Sequence, residues 1–317
     1  MPSRFNPPAY PEPVRPSVKE LTADRSLLDI TQHINTDLPV HKHAIGHGAC
    51  GNVYRGIYRW IDPESGETQN LNVVIKYLVS TRQETPKIEE RLNREIATWR
   101  HLKHPNVSEF LGICRQDSGL PPGMVSRYVL RYDFLAYIGR RPELKRKKAQ
   151  EIACGLEYLH ENHVVHGDLK VNNILISDYQ QAQITDFGLA RILDVQGFTT
   201  MTFRNVRYAA PELRPIQDVD MRTVRPTTRS DIFSLGILFL QLFHGPDQDT
   251  QRGLPYNHIP FSPNTGDYPL LVRIHSGERP RRELYEYMYD QHWSLIERCW
   301  AGNPSERPSI AEVLEDL

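Results

Sequence analysis

Two short stretches concentrate the side chains able to do chemistry. His166-Gly167-Asp168-Leu169-Lys170-Val171-Asn172-Asn173 brings together a carboxylate, an ammonium and a carboxamide, and Thr185-Asp186-Phe187-Gly188 adds a second carboxylate. Asp168 can accept the proton of an incoming hydroxyl. Asn173 and Asp186 offer the hard oxygen ligands that magnesium prefers. Lys170 can neutralise charge that develops on a moving phosphoryl group. Singly, each residue is ordinary turn or core material, but the ordered set of base, metal ligands and cation is the one phosphoryl transfer needs.

Upstream lies Gly46-His47-Gly48-Ala49-Cys50-Gly51-Asn52-Val53. Glycines at this spacing allow tight turns and close backbone approach to phosphate. The pattern alone also suits a plain turn or a dinucleotide fold. The following NVYRGIYRW reads as a strand, however, and a dinucleotide site needs a helix there. Lys76 ends the apolar run VVIK, and a lysine on a buried strand calls for a counter-charge. Glu95, in the next helical stretch, is the expected partner. The alternative is a snorkelling lysine and a solvated glutamate.

These groups need elements to hold them. Val73 to Val79 is a β-branched run with strand character. Thr85-Pro86 looks like a helix start, followed by an apolar face of Ile88, Leu92, Ile96, Trp99 and Leu102. Ala149, Ile152, Ala153, Leu156 and Leu159 draw a second helical stripe. Residues 232–243 are apolar on nearly every side, as in a helix buried all round. Ser309-Ile310-Ala311-Glu312 is a capping box opening a last helix. The expectation is an α+β fold of two lobes, a small β-rich one with a single helix and a larger, mainly helical one.

The 317 residues carry 38 basic and 39 acidic side chains, so no strong field favours nucleic acid or an anionic membrane. With 39% hydrophobic and 24% charged residues the balance is globular. Cys50, Cys114, Cys154 and Cys299 make no CxxC pair, which argues against a disulfide framework or zinc site and for a reducing, intracellular setting. The first seventeen residues hold six prolines and no apolar run, unlike a secretory signal. The longest apolar stretch, Ile232 to Phe243, is shorter than the ~20 residues a membrane span needs. Residues 1 to about 40 read as a loosely ordered, proline-rich leader with a docking role left open.

Taken together, the motifs from Gly46 to Arg307 resemble a eukaryotic protein kinase, most closely the tyrosine-kinase-like group of fungal type. His101 to Val107 (HLKHPNV), Ala210-Pro211-Glu212, Arg229-Ser230-Asp231-Ile232-Phe233-Ser234 and Cys299 to Ser309 (CWAGNPSERPS) complete the resemblance. It implies a leader over 1–40 and a kinase domain over 41–317, with the lobes meeting near 126–127. It implies ATP held by Gly46, Gly48, Gly51, Val53, Lys76, Ser126 and Tyr128, with Mg²⁺ on Asn173 and Asp186. Asp168, Lys170, Lys76 and Glu95 would be catalytic. His166, Phe187, Gly188, Glu212, Asp231 and Arg307 would be structural or regulatory, with Arg307 pairing Glu212. The implied partners are ATP, a protein substrate and room for a regulator, with no nucleic acid and no membrane insertion. The implied location is intracellular, cytoplasmic before nuclear.

Several residues depart from the family pattern. Gly167 stands where many kinases carry the arginine that neutralises an activation-loop phosphate. The loop is therefore expected not to depend on phosphate, although Thr199, Thr200 and Thr202 lie near Arg191 and Arg204 in sequence. Cys50 replaces an aromatic residue at the glycine-loop tip and reads as a tolerated small residue or a reactive thiol. Ser126 guards the space behind adenine with a small side chain, and Tyr132 replaces a glycine after the hinge. The basic run Arg140 to Lys148 reads as a solvated helix start, or else as a contact for an acidic partner or import receptor. The polar stretch Pro246 to Asp267 reads as a solvated insertion. Lys170 favours serine or threonine as acceptor, while the CWAGNPSERPS ending is shared with tyrosine kinases. Two other readings are weighed: a small-molecule phosphotransferase, which lacks the APE and RPS elements, and a nucleotide-binding pseudokinase, which usually loses one of the five key residues present here.

Overall fold

The computed structural model describes residues 29–35, 44, 46–48, 51–61, 66–78, 89, 92–93, 96, 99–115, 121–128, 134–187, 206–216, 224–244, 255–256, 259, 268–285 and 288–317. The first half builds one antiparallel sheet. Its strands are β1 (Ile34–Asn35), β2 (Gly46–Gly48), β3 (Gly51–Ile61), β4 (Thr68–Leu78), β5 (Phe110–Cys114) and β6 (Gly123–Arg127), in the order β1-β3-β4-β6-β5 with β2 also on β3. β3 and β4 pair along their full length, from Gly51 opposite Leu78 to Ile61 opposite Thr68.

Alternation within β4 decides what each face holds. Val73 and Ile75 are fully buried and pack with Ile30, Cys114 and Val125 in a small cluster on one face. Lys76 falls on the other face, as a period of two requires. Residues 89, 92, 93, 96 and 99 are helical, and Leu92, Ile96, Trp99 and Leu102 are all buried, as the apolar stripe predicts. Thr85, Pro86 and Ile88 lie outside the described residues.

Residues 29–35 belong to this sheet although they fall within the stretch expected to be loosely ordered. Asp29 bridges to Ile113, and β1 pairs with Tyr58 and Ile57 of β3. Ile30 is the physical reason, since its side chain closes the apolar face of Val73 and Ile75.

The second half is helical: α1 (Phe134–Gly139), α2 (Lys145–Glu161), α3 (Thr228–His244), α4 (Tyr268–His275), α5 (Asp290–Cys299) and α6 (Ile310–Asp316). A hairpin of β7 (Ile174–Ile176) and β8 (Ala182–Ile184) sits between α2 and α3 in sequence. Ala149, Ile152, Ala153, Leu156 and Leu159 are completely buried, and every residue of α3 from Ser230 to Phe243 is buried. α6 opens on the predicted capping box, with Ser309 accepting from the Glu312 amide and the Glu312 carboxylate accepting from the Ser309 amide.

The basic run at α2 departs from a purely solvated face. Lys145 Nζ donates to the Phe243 and His244 carbonyls at 2.7 and 3.3 Å, at the negative end of the α3 dipole. Arg146 donates to the Leu317 carbonyl, Arg141 lies 4.5 Å from the Tyr137 ring centroid, and Lys148 is buried against Glu151 at 2.7 Å. Cys114 and Cys299 are buried and Cys154 is half-buried; burial pushes the Cys299 thiol up to about 12. Cys50 lies outside the described residues. Among the described residues no helix is long and apolar enough to cross a membrane.

Candidate active site

The loop between α2 and β7 carries Asp168, and its shape is set from beneath. Asp231, in the first turn of α3, accepts from the amides of His166 and Gly167, both at 2.8 Å, and from His160 Nε2 at 2.9 Å. One buried carboxylate thus satisfies two backbone donors of a tight turn, an arrangement stronger than neutral hydrogen bonds. Gly167 has φ +77°, in the left-handed region where a side chain is strained.

His166 is fully buried and locked in one tautomer. Its Nδ1 accepts from the Asp168 amide at 3.2 Å, so Nε2 carries the hydrogen and donates to the Thr185 carbonyl at 3.1 Å. Burial holds its pKa below the ordinary histidine value, in keeping with a neutral ring. That bond ties the Asp168 loop to the segment entering Asp186. A second tie runs from Asn173, whose Nδ2 donates to the Asp168 carbonyl at 2.8 Å and whose carbonyl accepts from Thr185 N at 3.0 Å.

The charged groups converge here. Lys170 Nζ is 2.5 Å from Asp168 Oδ2, and Lys76 Nζ is 2.7 Å from Asp186 Oδ2. Burial acts to raise the Asp186 pKa, and the adjacent Lys76 ammonium outweighs it, so the carboxyl stays below its usual value. Glu95, the expected partner of Lys76, lies outside the described residues, as do Gly188, Tyr132, Thr199, Thr200, Thr202, Arg191, Arg204 and the Pro246-to-Asp267 stretch apart from Pro255, Tyr256 and Ile259. The sheet register sets the glycine-rich strands beside this lysine: Val53 pairs with Lys76, Gly46 with Val53 and Gly48 with Gly51.

Behind Lys76 is a cavity of ≈ 60 Å³ whose wall includes Trp99, Phe110, Ser126, Asp186 and Phe187. The small Ser126 side chain borders this space. Phe187 meets Trp99 edge-on at 5.5 Å, and Trp99 meets Phe110 at 6.0 Å. Tyr128 follows β6 directly; its amide donates to the Asn72 carbonyl at 2.8 Å and its ring lies under Arg55 at 4.7 Å. Far from the charges, Arg307 grips Glu212 with two bonds of 2.6 and 2.8 Å, as the sequence implies.

The donor set suits a magnesium ion shared with a polyphosphate. Asn173 commits its amide nitrogen to the loop, which leaves its oxygen for a cation, and Asp186 adds a carboxylate. Among the described residues no three His, Cys, Asp or Glu side chains gather as an all-protein metal cage. Two hard oxygen ligands beside a lysine are what Mg²⁺ on nucleotide phosphates requires. Three contacts of this region carry no sequence signal: His160 under the loop, the meeting of Trp99 with Phe187, and those of Arg115, described below. Each contact spans distant parts of the chain, beyond the reach of local pattern.

A family model described as protein tyrosine and serine/threonine kinase matches residues 40–317. Serine/threonine-protein kinase STY17 of Arabidopsis thaliana is 28% identical over 275 residues, which cover 85% of this chain and 42% of that protein. Tyrosine-protein kinase transforming protein Abl of Abelson murine leukemia virus is 28% identical over 287 residues, 88% of this chain and 34% of that protein. Serine/threonine/tyrosine-protein kinase HT1 of Arabidopsis thaliana is 27% identical over 280 residues, 85% and 63%. The chain thus spans 34 to 63% of the length of these three relatives. It belongs to the protein tyrosine and serine/threonine kinase family, and its two-lobed α+β architecture is the protein-kinase fold.

Proposed function

From that membership, we propose that the chain transfers the γ-phosphoryl group of ATP to a serine or threonine hydroxyl of a protein, inside the cell. The observation that supports it most is the convergence of Asp168, Lys170, Asn173, Asp186 and Lys76 beside the glycine-rich strands. In this reading Asp168 Oδ2 takes the proton of the attacking hydroxyl. The hydroxyl oxygen bonds to the γ-phosphorus as the bond to the β-phosphate oxygen breaks, and ADP leaves. Lys170, already beside Asp168, moves to the oxygens on which charge accumulates. Lys76 holds the α- and β-phosphates, and Asn173 and Asp186 would hold Mg²⁺, which draws charge from the phosphates.

The choice of serine or threonine rests on Lys170; the relatives' names include serine/threonine, tyrosine and combined kinases, so tyrosine is the competing acceptor. Placement in the tyrosine-kinase-like group rests on the CWAGNPSERPS ending, and the fungal type on the sequence resemblance alone. The family domain is proposed to run from 41 to 317, with residues 29–35 added to its sheet. Gly167 supports a loop that does not need a phosphate to be active.

Labelled ATP and a generic protein substrate test this reading. Wild type is expected to yield phosphoserine or phosphothreonine, and Asp168→Asn to lose ~10²–10⁴-fold in rate, the share a positioned base contributes. Thermal stabilisation by ATP-Mg without transfer would make the chain a nucleotide-binding scaffold, and phosphotyrosine alone would overturn the acceptor.

A further inference from the structure

Residues 29–35 lie ahead of the stretch matched by the family model, which begins at residue 40, yet they are built into the sheet. Ile30 N donates to the Ile113 carbonyl at 3.1 Å, and its side chain is 6% exposed. Asp29 Oδ1 accepts from the amide and hydroxyl of Thr31 at 3.1 and 2.5 Å. That leaves Asp29 Oδ2 to accept from Arg115 Nε at 3.1 Å, while the Arg115 amide donates to Thr31 Oγ1 at 2.8 Å.

The same guanidinium reaches further. Its other arm donates to Glu89 Oε1 at 2.9 Å. Glu89 is helical, as are Leu92 and Ile96, which are buried in the large core, and Trp99, which meets Phe187 edge-on. Phe187 follows Asp186, the partner of Lys76. A chain of direct contacts therefore runs from the N-terminal strap, through Arg115 and the helix, to the charged pair in the cleft. Arginine suits the junction because its planar fork can hold two carboxylates in fixed directions at once.

We propose that Arg115 is a positioning residue, held by the strap of residues 29–35, that sets the helical residues 89, 92, 96 and 99 and through Trp99 the placement of Phe187 and Asp186. Drawing the strap off the sheet releases one arm of Arg115 and loosens the helix. The strap thereby links the N-terminal leader to the cleft. The effect on transfer rests on the function proposed above; the coupling of strap to helix does not.

Hydrogen exchange on the full chain without nucleotide tests the coupling, followed at the amides of Leu92, Asn93, Ile96 and Trp99. Arg115→Ala removes both arms, whereas Asp29→Ala combined with Thr31→Val cuts only the strap and leaves Glu89 untouched. Both are expected to speed exchange in the helix by roughly two- to fivefold, the scale of partly exposed charge-assisted contacts, and to leave α5 amides unchanged. Arg115→Lys, which can satisfy one carboxylate at a time, should fall between. Where wild type transfers phosphate, the strap variant is expected to lower kcat more than it raises KM for ATP. Unchanged helix exchange in the strap variant overturns the proposal, and so does acceleration spread equally to α5, which would mean general loosening. Absence of transfer by wild type would sink the functional reading and leave the exchange result to decide the coupling. Should Arg115→Ala not fold, the strap variant alone decides it.

Discussion

Gly167 gives its amide to Asp231 while its own backbone sits at φ +77°. A side chain there has to occupy the left-handed region, at a cost of about 1–2 kcal/mol. Gly167→Ala is therefore expected to lower unfolding free energy by that amount in urea titration. Elsewhere, His104 Nδ1 accepts from the Asn106 amide at 3.1 Å and its ring stacks on Tyr158 at 4.9 Å. Burial lowers its pKa from 6.5 to about 4. The unfolded chain then binds the extra proton first, so stability contributed by neutral His104 is complete above pH 6.5 and is lost as pH falls towards 4. His104→Gln, which can still accept but does not titrate, should flatten the decline in urea midpoint between pH 7 and 5. An equal decline in both proteins would assign the pH dependence to other groups.

At the scale of elements, α2 shows how a legible helix hides its closest contact. The stripe of Ala149, Ile152, Ala153, Leu156 and Leu159 announces a buried face, and all five are buried. Gly155 lies between them, and a Cβ there would stand 2.5 Å from the Asn106 carbonyl oxygen. That oxygen cannot retreat cheaply, because it accepts from Ile184 N at 2.9 Å while Asn106 Nδ2 donates to the Ala182 carbonyl at 2.9 Å. Alanine is the better helix former by ~1 kcal/mol. Gly155→Ala should nonetheless destabilise by about 1–3 kcal/mol, the range of overpacked sites, in thermal or urea unfolding. A more stable variant would show that β8 shifts freely on α2. The basic run at the start of this helix teaches the same lesson, since Lys145 serves the end of α3 and Lys148 is itself buried against the Glu151 carboxylate. A run of like charges in sequence does not tell which members turn inward.

Across the whole molecule, Arg307 joins the segment before α6 to the Pro211-Glu212-Leu213 turn. Its side chain is wholly buried and also donates to the Ala301 and Arg229 carbonyls at 3.0 and 2.9 Å. Arg307→Ala strands the Ala301 and Arg229 carbonyls and leaves the half-buried Glu212 carboxylate without its partner, and should cost about 2–4 kcal/mol, somewhat less than breaking a fully buried ion pair. Calorimetric melting checks it, and a loss below 1 kcal/mol would mean that water replaces the guanidinium. Both members of this pair were readable beforehand, and Asp168, Asn173 and Asp186, which lie together in the fold, were named by the same order of residues and resemblance to a known family. The strand at Val73, the buried α3 and the capping box were readable too, since periodicity and capping are local. Three features came only from the folded chain: the triple acceptance at Asp231, the pairing of Lys76 with Asp186, and the seat of residues 29–35 held by Arg115. Each joins residues tens of positions apart in the chain. Pairing at that distance is settled by which surfaces pack and which charges must be neutralised once water is gone, and a linear pattern records neither.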